Sequence, residues 1–238
     1  MKKRMVGLVL TTIVFLVLAF TAVAVDKSGA VSGGALTQGI SSRLTDTSAG
    51  SRVARAGNVT EVNVTSTKST AKWAGYFGEV TSALKLGIGS SVLYDFGSGV
   101  NTQIKSVFAA PDASFDFSNL LAAAVANVDS AWGFTATDKD SATTSFTGTA
   151  TIATVTSVPI VNLLAYTGAG APSSTLYKSG LFTDSAAPAQ EFDFAFGVAV
   201  DADERDFRNT TVVDYELIVP TNTTASVGQT YYFFLDVE

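Results

Sequence analysis

Hydrophobic and polar positions divide the chain into three zones. An uncharged apolar run covers residues 5–25, directly after Lys2-Lys3-Arg4. Residues 26–56 are rich in Gly, Ser, Thr and Ala and show little periodicity, which is typical of flexible linkers. Short apolar runs separated by Gly and Asx residues then continue to the end. The pattern predicts three parts: a leader over residues 1–24, a flexible linker over residues 25–57 and a globular domain over residues 58–238.

The apolar run of the leader allows three interpretations. A basic start, an apolar stretch and the small residues Ala22-Val23-Ala24 are typical of a cleaved export signal. The run also approaches the roughly 20 apolar residues that span a bilayer, which favours an uncleaved membrane anchor. Gly7 gives a third option, a pilin-type leader, although Met5 and Val6 separate it from the charges. All three place the globular domain outside the cytoplasm, because positive charge stays on the inner side.

Alternating and apolar runs predict β-strands in the first half of the globular domain. Residues 61–65 alternate with period two, as a half-buried strand does. The apolar residues 73–86, the Gly-rich turn 87–90 and the apolar residues 91–96 form the pattern of a β-hairpin. Residues 103–109 predict a further strand.

One helix is predicted after the leader, over residues 119–130. Leu120, Leu121, Ala124 and Val128 fall at helical spacing, and Ser118 is placed to cap the first turn.

The second half of the domain returns to β-forming sequence. It predicts strands at residues 143–156, 158–166, 174–182, 191–196, 212–219 and 231–237. Alternation within residues 191–196 places Phe192, Phe194 and Phe196 on one face. About nine or ten short strands with Gly and Asx turns predict an all-β fold, an antiparallel β-sandwich or jelly-roll-like domain with one short helix.

The composition excludes much chemistry. The chain contains no Cys and no His, so it cannot build disulfides, Cys- or His-based nucleophile systems, or zinc and haem sites of the usual kind. Its net charge is −6, and it becomes −9 without the leader, which carries three basic and no acidic residues. An acidic surface repels phosphate backbones, so we expect no nucleic-acid partner.

Four Asn-x-Thr sequons are candidate N-glycosylation sites in an exported protein. They begin at Asn58, Asn63, Asn209 and Asn222.

An acidic run between two predicted strands is a candidate calcium site. Carboxylates in a loop are the oxygen ligands that calcium prefers, and the run supplies Asp201, Asp203, Glu204 and Asp206. It lacks the central Gly and the closing Glu of an EF-type loop, so a solvated loop is the competing interpretation. Asp138 and Asp140 form a weaker second candidate. We expect no other cofactor.

Carboxylates and aromatic residues leave two further hypotheses open. The pairs Glu191/Asp193 and Asp214/Glu216 each lie on one face of a predicted strand, as a glycoside hydrolase pair would, but any solvent-facing strand has the same pattern. A sugar-binding platform would need exposed aromatic side chains, whereas β-sheet cores also favour such residues. The candidates for that platform are Trp73, Tyr76, Phe77, Tyr231 and Tyr232.

Two stretches carry a resemblance to known proteins. The first runs from Trp73-Ala74-Gly75-Tyr76 to Leu93-Tyr94-Asp95-Phe96, and the second covers residues 191–238 with the aromatic run Tyr231-Tyr232-Phe233-Phe234. Together they resemble a group of uncharacterised archaeal exported proteins with a leader, a Trp-x-Gly-aromatic hairpin and an aromatic last strand. The resemblance implies the archaeal cell surface, where β-sandwich proteins serve as surface-layer associates or filament subunits.

These observations predict a non-enzymatic, exported structural or adhesive protein of the cell surface. Its expected partners are copies of itself or other surface proteins, joined by strand addition at an open sheet edge. The membrane is a partner only through an uncleaved leader. A carbohydrate-binding surface module is the alternative, and a carboxylate-based glycoside hydrolase is the third hypothesis.

Overall fold

A computed structural model describes residues 31–39, 41–98, 104–167, 172–173, 176–202, 204–221 and 228–237. The predicted leader lies outside these residues. Within them, no helix has both the length and the apolar character needed to cross a membrane.

Short antiparallel strands dominate the structure. Strands hold 39% of the residues and helices 9%, so the prediction of an all-β fold is confirmed. The strands are β1 (Val31–Gly33), β2 (Trp73–Gly78), β3 (Ala83–Ile88), β4 (Ser91–Ser98), β5 (Ile104–Ala110), β6 (Leu121–Ala122), β7 (Gly148–Ile152), β8 (Val155–Asn162), β9 (Ala165–Tyr166), β10 (Pro172–Ser173), β11 (Lys178–Thr183), β12 (Phe194–Ala199), β13 (Glu204–Arg205), β14 (Val212–Val213), β15 (Tyr215–Pro220) and β16 (Tyr232–Val237). The helices are α1 (Val125–Ala131) and α2 (Ala142–Ser145), with 3-10 turns at Phe117–Asn119 and Glu191–Asp193.

One large sheet organises the domain. Its strand order is β1-β16-β5-β12-β11-β8-β7, and β6 also pairs with β11. Three smaller sheets accompany it: β15 with β2, β3 with β4, and the four short strands β10-β9-β13-β14. Every strand pair in the described residues is antiparallel.

The large sheet is covered on both faces. On β12, Phe194, Phe196 and Val198 face a core shared with Leu217 and Val219 of β15. The opposite face holds a second core made by residues of β5, β7, β8, β11 and β12, namely Phe108, Ala110, Ile152, Val158, Ile160, Phe182 and Ala195, together with Phe115. Burial on both sides explains why the central strands are continuous apolar runs rather than alternating ones.

Helical structure differs from the prediction for residues 119–130. Ser118 does not cap a helix; its N–H donates to the Asp116 carboxylate at 2.9 Å in a 3-10 turn. The next residues enter the large sheet instead, because β6 pairs with Phe182 and Thr183 of β11. The α-helix therefore begins only at Val125. A second short helix, α2, is capped by the Ser141 hydroxyl and lies where residues 143–156 predicted a strand.

The strand predicted at residues 61–65 is wrong, and the one predicted at residues 191–196 begins only at Phe194. Residues 61–65 form no strand, and Val64 is 84% exposed, because no neighbouring strand covers their apolar face. Phe192 belongs to a 3-10 turn and is 54% exposed, whereas Phe194 and Phe196 are fully buried. The predicted hairpin is confirmed in part: β3 and β4 form it, with the turn at Gly89-Ser90. Residues 73–78, the beginning of its predicted first arm, form β2 instead, which pairs with β15.

Candidate functional site

The end of the large sheet is formed by a strand from the predicted linker. Val31, Ser32 and Gly33 pair with Asp236, Leu235 and Phe234 of β16. The Gly34 N–H extends the ladder with a 2.8 Å bond to the Phe233 carbonyl. Strand β1 is the last strand on this side of the sheet, within the described residues. The three residues of β1 therefore pair with half of the six residues of β16.

A long exposed segment follows β1. Residues 34–72 contain no strand in their described part, and nearly all of their side chains are exposed. Its local bonds include the Thr47 N–H to the Thr67 carbonyl at 2.8 Å and the Ser69 N–H to the Asp46 carboxylate at 2.7 Å. The connection between β1 and β2 thus crosses the surface with little burial.

The acidic run leads into a tight turn between β13 and β14: Asp201 precedes β13, Glu204 belongs to it and Asp206 begins the turn. The Asp206 N–H donates to the Thr211 carbonyl at 2.9 Å, and the Asn209 N–H donates to the Asp206 carbonyl at 2.8 Å. The Asp206 side chain is fully buried and accepts the N–H groups of Arg208 and Thr210 at 3.1 and 3.0 Å. It also receives the Arg208 guanidinium, with Nε at 2.7 Å. Burial opposes ionisation of Asp206, but the Thr210 N–H and Arg208 outweigh it, so the Asp206 pKa is lowered.

Arg208 joins this turn to two exposed aromatic rings. Its guanidinium carbon lies 4.9 Å from the centre of the Phe77 ring and 5.5 Å from that of Phe207. The two rings meet edge to face, with centroids 5.5 Å apart. Phe77 and Phe207 are 36% and 46% exposed, so a cation and two aromatic faces reach the surface together.

Glu216 lies beneath the turn and is almost completely buried. Its Oε1 accepts the Phe207 N–H at 2.7 Å. Burial raises the pKa of Glu216 to about 7, and the nearby Asp206 adds to this, while the Phe207 N–H and Arg208 act against it. Glu216 therefore changes its charge near neutral pH.

Asp214 and Asp201 connect the same region to β2 and to Tyr177. The Asp214 carboxylate accepts the Val80 N–H at 2.8 Å, and its N–H donates to the Gly78 carbonyl at 2.8 Å. The buried Tyr177 hydroxyl lies 2.9 Å from the Asp201 carbonyl. Burial raises the pKa of the Asp201 carboxyl, and Glu204 adds to the effect.

The calcium hypothesis meets a competing arrangement at this turn. Asp203 lies outside the described residues, and Asp206 already accepts the Arg208 guanidinium and two N–H groups. The described residues contain no group of three or more acidic side chains arranged to hold a metal ion. Calcium binding at Asp201, Asp203, Glu204 and Asp206 stays a prediction, and it requires Asp206 to give up its present partners.

The second acidic candidate is occupied by a lysine. Lys72 Nζ lies 2.6 Å from Asp138 and 2.9 Å from Asp140. Burial acts against the charge of Lys72, but the bonds to the two carboxylates prevail and raise its pKa. Asp138 and Asp140 therefore fix their loop to the start of β2.

The predicted carboxylate pairs hold loops in place. Asp193 Oδ2 accepts the N–H groups of Ala189 and Gln190 at 2.8 and 2.9 Å. Asp214 and Glu216 are buried and accept N–H groups from two different segments. Burial raises the pKa of Glu191. Three of these four carboxylates thus have a structural use.

Most of the predicted aromatic platform lies in the interior. Trp73 packs against Phe134 and Phe146 and donates its Nε1–H to the Asp140 carbonyl at 2.7 Å. Tyr76 packs against Phe233. Tyr231 is buried, and its hydroxyl donates a hydrogen bond to the Pro220 carbonyl at 2.7 Å. Phe77 and Tyr232 are exposed. The five residues do not form one exposed surface.

A surface depression of about 250 Å³ lies elsewhere, between the β7–β8 turn and the ends of β5, β12 and β16. None of the predicted site residues lines it. Its lining consists of Lys105, Ser106, Thr151, Ile152, Ala153, Thr154, Ala199 and Asp236.

The sequons fall in three different settings. Asn58 and Asn63 are exposed in the segment between β1 and β2. Asn209 lies in the turn between β13 and β14 with φ of 57°. Asn222 lies outside the described residues.

Comparison of the chain with models of known protein families, with curated proteins and with solved structures found no match. Function must therefore be argued from the sites themselves. Two of their features escaped the sequence analysis: strand β1 and the Phe77–Phe207–Arg208 cluster. The sequence shows only the neighbouring residues Phe207 and Arg208 of this cluster. It does not indicate Phe77, which is distant in the chain and comes close only through folding.

Proposed function

We propose that the protein is an exported structural or adhesive subunit of an archaeal cell surface, a β-sandwich whose subunits join by strand addition. The observation that carries this proposal is the pairing of β1, from the predicted linker, with the outer edge of β16. A short strand at the end of an exposed connection can be exchanged between copies, because an identical strand from a neighbour forms the same backbone bonds.

The connection is long enough for exchange between neighbouring subunits. Residues 34–72 separate β1 from β2. Fully extended, these 39 residues span at most ~130 Å, which exceeds the diameter of a domain of this size. Each subunit would give its β1 to the next one and accept another on its own β16, so the contact is head-to-tail and the assembly grows as a filament unless it closes into a ring.

The exposed hairpin β3–β4 supports an association function. Its two strands pair with each other and with no other strand in the described residues. Leu86, Ile88, Val92 and Leu93 are all more than half exposed. A two-stranded hairpin alone is only marginally stable in water, and exposed apolar clusters mark contact surfaces. Contact with a neighbouring subunit would bury these side chains.

Strand exchange predicts covalent ladders from an engineered disulfide. Ser32 and Leu235 are directly paired across β1 and β16. Paired residues have Cα atoms about 4.5–5.5 Å apart, which suits a disulfide. The natural chain has no Cys, so the variant with Ser32→Cys and Leu235→Cys contains only this pair. Oxidation of assembled protein is expected to give dimers, trimers and longer species on a denaturing gel without reductant.

A mixture of the two single variants is the decisive control. Ser32→Cys and Leu235→Cys proteins, assembled together, are expected to form the mixed disulfide dimer, whose two chains mass spectrometry identifies by the linked peptides. If the double variant oxidises completely but remains monomeric, β1 pairs only within its own chain and the proposal of strand exchange is refuted.

The carbohydrate-binding alternative has narrower support. Trp73 and Tyr231 pack against the core, so only Phe77 and Tyr232 of the predicted platform are exposed. Of these two, Phe77 has a second exposed ring, that of Phe207, in contact with it. Binding to a glycan array that is lost in Phe77→Ala but kept in Trp73→Phe would favour this alternative. For the glycoside hydrolase hypothesis no comparable observation exists, because Asp193, Asp214 and Glu216 each accept backbone N–H groups.

A further inference from the structure

The turn between β13 and β14 presents Asn209 in a defined conformation. Its φ of 57° is in the left-handed region, which Asn tolerates better than most residues. The Asn209 N–H bond to the Asp206 carbonyl closes the turn, and the Asp206 carboxylate holds the next N–H, that of Thr210. The backbone around this asparagine is therefore fixed from both sides.

The two polar atoms of the Asn209 side chain have different environments. Oδ1 is buried without a hydrogen-bond partner in the described residues. Nδ2 makes no hydrogen bond there either, but it is not completely buried. Thr211, the third residue of the sequon, is exposed. The atom that N-glycosylation modifies is thus neither hydrogen-bonded nor completely buried.

The two residues that precede this asparagine in the chain belong to an exposed aromatic cluster. Phe207 precedes Asn209 by two residues, and its ring meets Phe77 edge to face. Arg208 lies over both rings while its guanidinium is bound by Asp206. All three side chains are more than one third exposed.

We propose that Asn209 is an N-glycosylation acceptor and that the first sugar of its glycan packs on Phe77, Phe207 and Arg208. The apolar C–H face of a pyranose ring matches an aromatic face, and the Arg208 N–H groups are donors for sugar hydroxyls. The glycan then stabilises the turn as well as covering it. This inference rests on the proposed export, since the modifying enzyme acts outside the cytoplasm.

N-glycosylation transfers the sugar to Asn209 from a second substrate, a lipid-linked oligosaccharide. A bond forms between Asn209 Nδ2 and the anomeric carbon of the donor sugar. The bond from that carbon to the donor phosphate oxygen breaks, the lipid phosphate or pyrophosphate leaves, and one amide proton passes to the transferase base. No oxidation or reduction takes place.

The other described sequons lack such a surface. Asn58 and Asn63 are exposed, and residues 41–68 contain no Phe, Tyr or Trp. Glycans at these positions would increase solubility without packing against the domain. Among the three sequons that the structure describes, stabilisation by carbohydrate is therefore expected at Asn209 alone.

Glycopeptide mass spectrometry of the protein from its native host, combined with thermal melting, tests the inference. Thr211→Ala removes the sequon but keeps Asn209 in the turn, and Thr211→Ser preserves the sequon as the matched control. Loss of the glycan is expected to lower Tm by about 2–4 °C. This is the Tm shift expected when a chain of this size loses one stabilising contact of ordinary strength. The double variant Thr60→Ala with Thr65→Ala, which removes the two sequons of the segment between β1 and β2, should leave Tm unchanged.

Phe207→Ala distinguishes the stability that comes from the sugar contact from the stability of the turn without a glycan. In glycosylated protein it should lower Tm as much as Thr211→Ala does, and Phe207→Tyr should restore Tm. In protein made without glycosylation, Phe207→Ala should change Tm by much less. Equal effects of Phe207→Ala with and without the glycan would overturn the packing claim.

Site occupancy separates this inference from the proposed function. Carbohydrate on Asn58 or Asn63 with an unmodified Asn209 overturns the inference alone, as does unmodified Asn209 in protein recovered from the cell surface. Recovery of the protein from the cell interior overturns the proposed function and the inference together.

Discussion

Gly197→Ala is expected to lower the free energy of unfolding by about 3 kcal/mol, the upper part of the range for overpacked cores. Gly197 lies on β12 directly opposite Phe108 of β5. A Cβ at this position would lie 2.5 Å from two carbons of the Phe108 ring and 2.9 Å from Phe182. Both rings are fully buried, so neither can turn aside without displacing the second core.

The Phe108 ring uses the space that Gly197 leaves empty. It also packs against Phe117 and Phe182, with ring centroids 5.2 and 5.4 Å away. An aromatic ring over a strand glycine compensates for the missing side chain and fixes the register of the two strands. The glycine is therefore required by packing across the strands and not by backbone conformation.

Thermal or chemical denaturation measures this effect, expected as a Tm decrease of about 6–12 °C for a chain of this size. Gly33→Ala on β1 is the matched control, because no atom lies within 4 Å of the Cβ position. A second substitution, Phe108→Leu, should recover part of the loss in Gly197→Ala, since the smaller side chain makes room. A Tm of Gly197→Ala within 1 °C of the natural protein would show that this face of the sheet is not close-packed.

The strands that fill the middle of the sheet could be predicted from the sequence. Apolar, β-branched and aromatic residues are concentrated in β5, β11 and β12, where burial on both faces keeps the runs continuous. They are also concentrated in β16 and in β15 of the smaller sheet. The hairpin β3–β4 has a local signal, the Gly-rich turn between two apolar runs. These elements need little information from distant parts of the chain.

Other elements depend on distant partners. Leu121 falls at helical spacing, but it lies in β6, which pairs with β11. The helix therefore starts later than the spacing predicted. Strand β1 has a weak sequence signal, and its strand structure comes from the edge of β16, about two hundred residues later. Tertiary pairing in both cases overrides local propensity.

The site by the β13–β14 turn was only partly predictable. The sequence shows four acids in six residues and a sequon nearby. It does not show that Asp206 binds Arg208, or that Phe77 comes next to Phe207 from another strand. Alternation correctly places Asp214 and Glu216 close together, but it does not show that both are buried.

Glu216→Gln is expected to stabilise the protein above neutral pH and to have little effect at pH 4. Burial raises the Glu216 pKa to about 7, whereas an unfolded Glu titrates at about 4.3. The folded state therefore holds an extra proton between these two values, so stability falls as pH rises from about 4.3 to about 7. Gln is uncharged at every pH and can still accept the Phe207 N–H through its Oε1.

The pKa difference of about 2.7 corresponds to a gain of about 3–4 kcal/mol at pH 8 and to almost no gain at pH 4. Melting curves of the natural protein and of Glu216→Gln from pH 4 to pH 9 measure the difference. Glu216→Ala is the matched comparison: it removes the acceptor of the Phe207 N–H and should therefore destabilise at pH 4, where Gln does not.

A gain that is the same at pH 4 and pH 8 would show that Glu216 is not buried as a neutral acid. Asp206 affects the same curves with the opposite sign, because its lowered pKa makes stability fall as pH decreases. The difference between the natural protein and Glu216→Gln cancels most of that contribution, since Asp206 and Arg208 are present in both. What remains in the difference is the titration of Glu216, with its midpoint set by the burial of this one carboxyl under the turn.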